Sequence, residues 1–373
     1  MRRASRIGWM ALGLILSCRP LTVPQEAFDL SSAWLQHGGD PGRSASTSAA
    51  PAWPLELAWT YRTSATAMPT LLAKGQRIYV SMMDGRQVAL RLQDGKSLGK
   101  IRLPANTPCA MMLAGEKLVL LQSYGENNLQ SYHLPSGRFD WRRTVGPCRG
   151  EPLLLGSRIY VAQSTGRLFA YALQDGRELC SVSLHHPAAS TPSFGHGRIV
   201  LAVEPAEIQA FTLDLQPDWS FAADGTIRSA PVCRDSVLYV GTTTGTFYAL
   251  RMRDGTVKWK QQAGGGVYQA AAVNDSLVVF GCTDHRVYAL ETVTGRLRWR
   301  FTTAAPISTS PLLCGDAVVI GSMDKTLYAV SLQNGRQVWS FTAKGRWRGG
   351  PILVHNRLLC AAEDDRIYCF ASP

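Results

Sequence analysis

Apart from residues 7–16, the chain has no apolar run long enough to weigh as a membrane helix, and that run is itself too short to span a bilayer. No two of its nine cysteines are adjacent, and neither Cys-x-x-Cys nor His-x-x-x-His lies near His185-His186, so a surface loop is the reading there rather than a zinc site. A phosphate loop is missing too. Gly95 to Gly99 encloses three residues where that motif needs four, and Ile101 stands where its metal-binding hydroxyl should be. Ser322 and Lys325 have the spacing of a β-lactamase-type nucleophile but fall on a polar turn with no helix to carry them.

What the chain does have is a repeat. Trp219, Trp259, Trp299 and Trp339 stand 40 residues apart. Around them recur Leu238-Tyr239-Val240-Gly241, then Phe247-Tyr248-Ala249-Leu250, then Asp254-Gly255, and matching runs lead to Trp299 and Trp339. Each apolar run is four or five residues long, rich in Val, Ile, Tyr and Phe, and bounded by Gly, Asp or Pro, which suits a strand and is too short for a helix. Asp94-Gly95, Asp175-Gly176, Asp254-Gly255 and Asn334-Gly335 supply the positive φ that tight hairpins need. Ala89, Ala170, Ala249, Ala289 and Ala329 fit a tight contact between units, and Pro152, Pro231, Pro311 and Pro351 recur where a strand begins. Short strands with a period near 40 are the pattern of propeller blades, and Gly264-Gly265-Gly266 reads as a loop between two of them.

Weaker copies around Tyr79, Trp141, Tyr160 and Thr191 to Trp219, with the three strong ones, make seven. An eighth begins at Pro351 and stops before any outer tryptophan strand. Trp59-Thr60-Tyr61 has the form of that strand, yet no inner strands precede it. The expectation is an all-β fold: an eight-bladed propeller of four-stranded antiparallel blades, closed by the amino-terminal strand completing the last blade and leaving no open edge.

Arg2, Arg3 and Arg6 precede the apolar run, as in a secretory signal. Ile15-Leu16-Ser17-Cys18 resembles a bacterial lipoprotein processing site, which makes Cys18 the expected lipidated residue and membrane anchor. Residues 1–18 are then the signal peptide, 19–52 a tether rich in Pro, Ser and Ala, and 53–373 the propeller domain. The formal charge of +12 falls to +9 once three arginines leave with the signal. Such a balance suits acidic proteins, anionic lipid headgroups or anionic ligands as partners, and an exported chain makes nucleic acid an unsuitable one.

Trp34-Leu35-Gln36-His37-Gly38-Gly39-Asp40-Pro41, followed by Leu57-Ala58-Trp59-Thr60-Tyr61, is similar to the start of pyrroloquinoline-quinone-like propellers, and the blade pattern resembles that family's repeat over nearly the whole mature chain. The resemblance implies one of two branches. Length, signal and blade count match the non-enzymatic lipoproteins, such as the propeller subunit of the outer-membrane β-barrel assembly machinery. That branch implies a periplasm-facing scaffold for envelope proteins, anchored in the outer membrane, with no cofactor and no catalytic residues. Arg19, where inner-membrane retention would call for Asp, agrees with that destination. The alternative is a quinone-dependent (PQQ) oxidoreductase or ligand sensor. Those dehydrogenases are typically longer, usually have adjacent cysteines beside the cofactor, and hold Ca²⁺ with convergent carboxylates. The acidic run Glu363-Asp364-Asp365 falls at the turn position of Asp284 and Asp324 and reads as a solvated turn, so no metal site is expected.

One constellation of binding candidates remains. Arg149, Arg228, Tyr268 and Arg348 share one repeat position, three residues before Pro152, Pro231, Ala271 and Pro351, where the chain drops into the innermost strand and rims the central channel. With Trp347 beside Arg348, they form a candidate surface for a carboxylate, a phosphate or an acidic loop, and under the alternative for the quinone's carboxylates with Trp347 stacked on its rings. Cys360 and Cys369 lie on neighbouring strands. An even-numbered turn centred on Asp364-Asp365 sets them opposite each other as a possible disulfide, whereas a three- or five-residue turn shifts the register and removes the pairing.

Overall fold

The computed structural model describes residues 21–23, 33–103 and 107–373, and Cys18 lies outside them. Eight antiparallel sheets follow one another along the chain, and no helix occurs among the described residues. Blades 1 to 7 span residues 67–102, 109–143, 153–183, 193–222, 232–262, 272–302 and 312–342. Blade 8 takes three strands from residues 347–371 and its outermost from Glu56–Arg62, which pairs antiparallel with Arg366–Ala371. The expected closure is present. Strand order within each blade follows the chain outward, so the first strands line the axis and the tryptophan strands form the perimeter.

Alternation explains the burial. Second and third strands such as Val237–Gly241 are buried along their length because neighbouring blades cover both faces, whereas outermost strands bury little more than the tryptophan. In every blade the register of the outermost strand shifts just before the tryptophan position, for example between Ala249/Trp259 and Leu250/Val257. This bulge adds twist and turns the side chain toward the next blade. The small repeat residue faces the tryptophan across the pair: Ala249 opposes Trp259, Ala289 opposes Trp299, and in blade 8 Cys369 opposes Trp59.

The tryptophan locks the seam. Each indole lies under the hairpin of the following blade and donates its N–H to a carbonyl three residues before that hairpin's glycine: Trp59 to Leu92 (3.0 Å), Trp141 to Leu173 (2.9 Å), Trp219 to Met252 (2.9 Å), Trp259 to Thr292 (3.1 Å) and Trp299 to Leu332 (2.8 Å). Gly255 is required twice over, because its φ is +71° and a Cβ there would stand 2.5 Å from the Trp219 ring. Blade 8 pairs Arg366–Ala371 with the distant Glu56–Arg62, so no hairpin joins those strands, and Trp339 donates instead to Leu55 (2.8 Å) just before the closing strand.

Two seams lack the tryptophan, and each is filled differently. Cys180 holds the tryptophan position of blade 3, opposite Ala170. There Leu215 takes the place of the turn glycine with φ of +60° and is buried, and the Tyr160 hydroxyl and Arg158 occupy the Leu213 carbonyl, each at 2.9 Å. Gly99 holds the position in blade 1, opposite Ala89. Leu21, from the segment ahead of the ring, fills the space: it is fully buried, 3.0 Å from where a Gly99 Cβ would be. The Val23 N–H donates to the Leu134 carbonyl at 2.9 Å, as an indole does elsewhere, and Tyr132 donates to the Leu21 carbonyl at 2.9 Å.

Residues 33–52, expected within a tether, are laid against the ring. From Trp34 to Ala45 the chain runs round one end of the channel and bonds the same position of seven innermost strands in turn. Trp34 exchanges two hydrogen bonds with Ala73 (2.8 and 2.9 Å); Leu113 donates to Leu35, Leu154 to the Gln36 side chain, Phe194 to Pro41, Cys233 to Gly42, Val273 to Ser44 and Leu313 to Ala45. Ser46–Thr47 then adds a parallel strand inside blade 7. The innermost strands would otherwise present unpaired N–H groups to the channel, and the arc satisfies them. Gly42 is needed for this contact: a Cβ there would stand 2.2 Å from the Cys233 carbonyl oxygen.

Candidate functional site

The repeat register of the rim residues holds, but only two of them meet. Arg149 and Arg228 precede the innermost strands of blades 3 and 5. Glu204 follows the second strand, Arg198–Val203, of the blade between them, and both arginines reach its Oε1, at 3.8 and 3.9 Å. Their side chains are 59% and 48% exposed, so these contacts are solvent-screened and each contributes about 1 kcal/mol or less. The result is a guanidinium pair with one shared carboxylate, a net positive fork across three blades. Tyr268 is exposed, and no hydrogen bond or ion pair joins it or Arg348 to that fork among the described residues. Arg348 is half-buried, with Nη2 3.9 Å from Met83 Sδ and Nε buried without a partner.

Trp347 is not part of any surface, contrary to expectation. It is 1% exposed, donates its indole N–H to Lys325 at 2.8 Å and packs edge-on against Tyr368 with centroids 5.1 Å apart. The reason lies in the repeat: the residue before each rim position, Cys148, Ile227, Val267 or Ile307, is a buried core residue, and Trp347 occupies that column in blade 8. Of the two registers open to Cys360 and Cys369, the structure takes the one without the pairing. Ala362 pairs with Arg366 around a three-residue turn, so Cys369 faces Leu359 and Cys360 faces Tyr368. The two thiols therefore point to opposite faces of the blade, and both are free. Asp284, Asp324 and Asp364 each accept a hydrogen bond from the tyrosine four residues on, at 2.5, 2.8 and 2.6 Å, in keeping with turn residues. Among the described residues no group of three His, Cys, Asp or Glu side chains could hold a metal.

Sequence reasoning missed a cluster inside the channel. Glu151, two residues past Arg149, accepts a hydrogen bond from Thr70, lies 3.5 Å from His37 Nδ1 and 4.0 Å from Arg43 Nη1. Arg43 is 1% exposed: Nε donates to the Pro192 carbonyl (2.9 Å), Nη1 to that of His37 (3.2 Å), and Nη2 is buried without a partner. Burial pushes the His37 pKa down, opposed by Glu151 and reinforced by Arg43, so the ring is neutral near pH 7. A cavity of about 20 Å³ beside Trp34, His37, Arg43, Pro69, Pro311 and Pro351 has room for water and for nothing larger. The Trp34–Pro41 motif was the available signal, since all of its chemistry turns inward to tie the arc to the channel wall.

Fold and site define a pyrroloquinoline-quinone-like eight-bladed propeller whose channel is closed at one end by its own amino-terminal arc. The family profile described as outer membrane protein assembly factor BamB matches residues 125–261 and 214–372, and the chain belongs to that family. No curated protein matches the sequence. Among solved structures, BamB from Moraxella catarrhalis is similar at 16% identity and TM-score 0.71, covering 86% of this chain and all of that one. Quinohemoprotein alcohol dehydrogenase from Comamonas testosteroni is similar at 12% identity and TM-score 0.77, over 92% of this chain and 82% of that one. The computationally designed protein Ika8 is similar at 13% and 0.76, over 85% of this chain and all of that one. At these identities the structural likenesses establish the fold and nothing finer.

Proposed function

We propose that this chain is a non-enzymatic scaffold of the bacterial envelope, anchored through a lipid on Cys18 and facing the periplasm from the outer membrane, which offers its rim and loops to protein partners in outer-membrane protein assembly. The observation that carries this reading is the arc. With residues 34–45 bonded to seven innermost strands round the channel and a water-sized cavity beside them, the rim and the outer loops are the surface offered to partners. Membership of the assembly-factor family supports it. The exposed Arg149–Glu204–Arg228 fork is the surface element best suited to an acidic loop of a partner.

The quinone-dependent alternative fits these residues poorly. A tricyclic cofactor needs a far larger space than this cavity, and the indole that would stack on it, Trp347, is enclosed in the core. Two measurements separate the readings: pull-down from solubilised envelopes, and visible absorption after addition of the quinone with Ca²⁺. Capture of defined envelope proteins with an unchanged quinone spectrum is the expected outcome. A stoichiometric spectral shift without partner capture would overturn the scaffold reading.

A further inference from the structure

The seam between blades 1 and 2 differs from the other seven because its lock is supplied by Leu21–Val23, ahead of the ring, in place of a side chain of the blade itself. This fixes where the amino-terminal segment leaves the propeller. Leu21 is buried against Gly99, Thr22 lies over Gly137, and Val23 holds the Leu134 carbonyl, so the segment crosses the perimeter between the outermost strands Ser97–Arg102 and Arg138–Arg143. Cys18 stands three residues before Leu21, a reach of about 11 Å at full extension.

Those two strands are basic. Lys100 and Arg102 are exposed on the first, which has no carboxylate; Arg138, Arg142 and Arg143 are exposed on the second, whose single acid, Asp140, is bonded to Lys117 at 2.7 Å. The outermost strands of blades 5 and 6 carry a similar excess through Lys258, Lys260, Arg298 and Arg300, but those blades lie across the ring from the anchor point. Charge alone therefore does not choose a face; charge beside a short tether does.

We propose that the perimeter of blades 1 and 2 is the membrane-facing edge, with Lys100, Arg102, Arg138, Arg142 and Arg143 against anionic phospholipid headgroups, so that the ring stands edge-on and its rim stays open to the periplasm. The proposal rests on Cys18 being the lipidated residue. Each basic residue near an anionic surface strengthens membrane affinity about fivefold, and the tether holds these residues within that range.

The test uses the full lipidated protein on vesicles of equimolar phosphatidylglycerol and phosphatidylcholine containing a headgroup-labelled quencher. A fluorophore is placed at Ser136→Cys or Thr294→Cys, equivalent exposed turn positions just before Gly137 and Gly295 in the opposed blades 2 and 6. Severalfold stronger quenching is expected at position 136. The difference should shrink in Lys100→Glu/Arg142→Glu and persist in Lys260→Glu/Arg300→Glu, with all variants melting like the parent. Equal quenching of the two labels in protein whose terminus is confirmed as lipidated overturns this proposal alone. A difference that appears only with envelope extract assigns the edge to a protein partner and overturns it too. A mature terminus without lipid, read by mass spectrometry, overturns the anchor reading and this proposal together.

Discussion

His37 shows how a single residue of the arc is held by its surroundings. Its imidazole meets Thr70 Oγ1 at 3.1 Å and Glu151 at 3.5 Å, beneath the Arg43 guanidinium. Burial depresses its pKa below the ordinary 6.5, so the unfolded chain binds a proton at a pH where the native protein does not. Stability contributed by this site is therefore present above about pH 6.5 and declines as pH falls toward the native pKa. His37→Gln should flatten the fall in urea-unfolding free energy between about pH 7 and pH 5 relative to the parent. A parallel fall in both proteins would show that His37 takes no part. The same scale explains Trp347: an indole next to an arginine looks like a recognition pair until the blade register places it in a column of buried residues.

Among the elements, the segment Leu21–Val23 carries a role that no strand pattern foretells. Gly99 in a tryptophan column reads as decay of the repeat, yet the seam is complete because a distant backbone N–H and a leucine side chain substitute for the indole. Leu21→Ala removes a fully buried leucine at a seam and is expected to cost about 2–5 kcal/mol by urea denaturation. Gly99→Trp restores the usual lock and competes for the same space, since its side chain must displace Leu21. Stability close to the parent with residues 21–23 newly open to proteolysis is the expected result. Continued protection of that segment would refute the equivalence. The bulge before each tryptophan belongs to this scale as well, because it arises from fitting twisted strands together and leaves no residue type of its own.

For the whole molecule, the ring is closed twice, by Glu56–Arg62 at the perimeter of blade 8 and by the arc at the axis. The exposed fork of Arg149 and Arg228 with Glu204 is then free to act as a recognition element without bearing on the fold. Arg149→Glu/Arg228→Glu should weaken binding of an acidic partner by tenfold or more, about 1.4 kcal/mol, while the melting temperature stays with the parent. Glu204→Gln, which removes the shared carboxylate, should strengthen it, and both effects should fade at high salt. Equal affinities across the three proteins would remove the fork from recognition.

The 40-residue tryptophan ladder, the short strands and the orphan strand at Trp59 determined the fold class, the blade count and the closure, because each blade is a local unit whose strands pair in chain order and whose edges must be covered. The cysteine register turned on one residue in a turn, which the sequence left open and the backbone at Asp365 decided. Only tertiary structure could show that Leu21 fills the gap left by Gly99, that residues 34–45 circle the axis, and that Glu151, His37 and Arg43 meet. Those contacts join segments as far apart as Ala45 and Leu313, more than two thirds of the chain, and they follow from how eight similar units close into a ring.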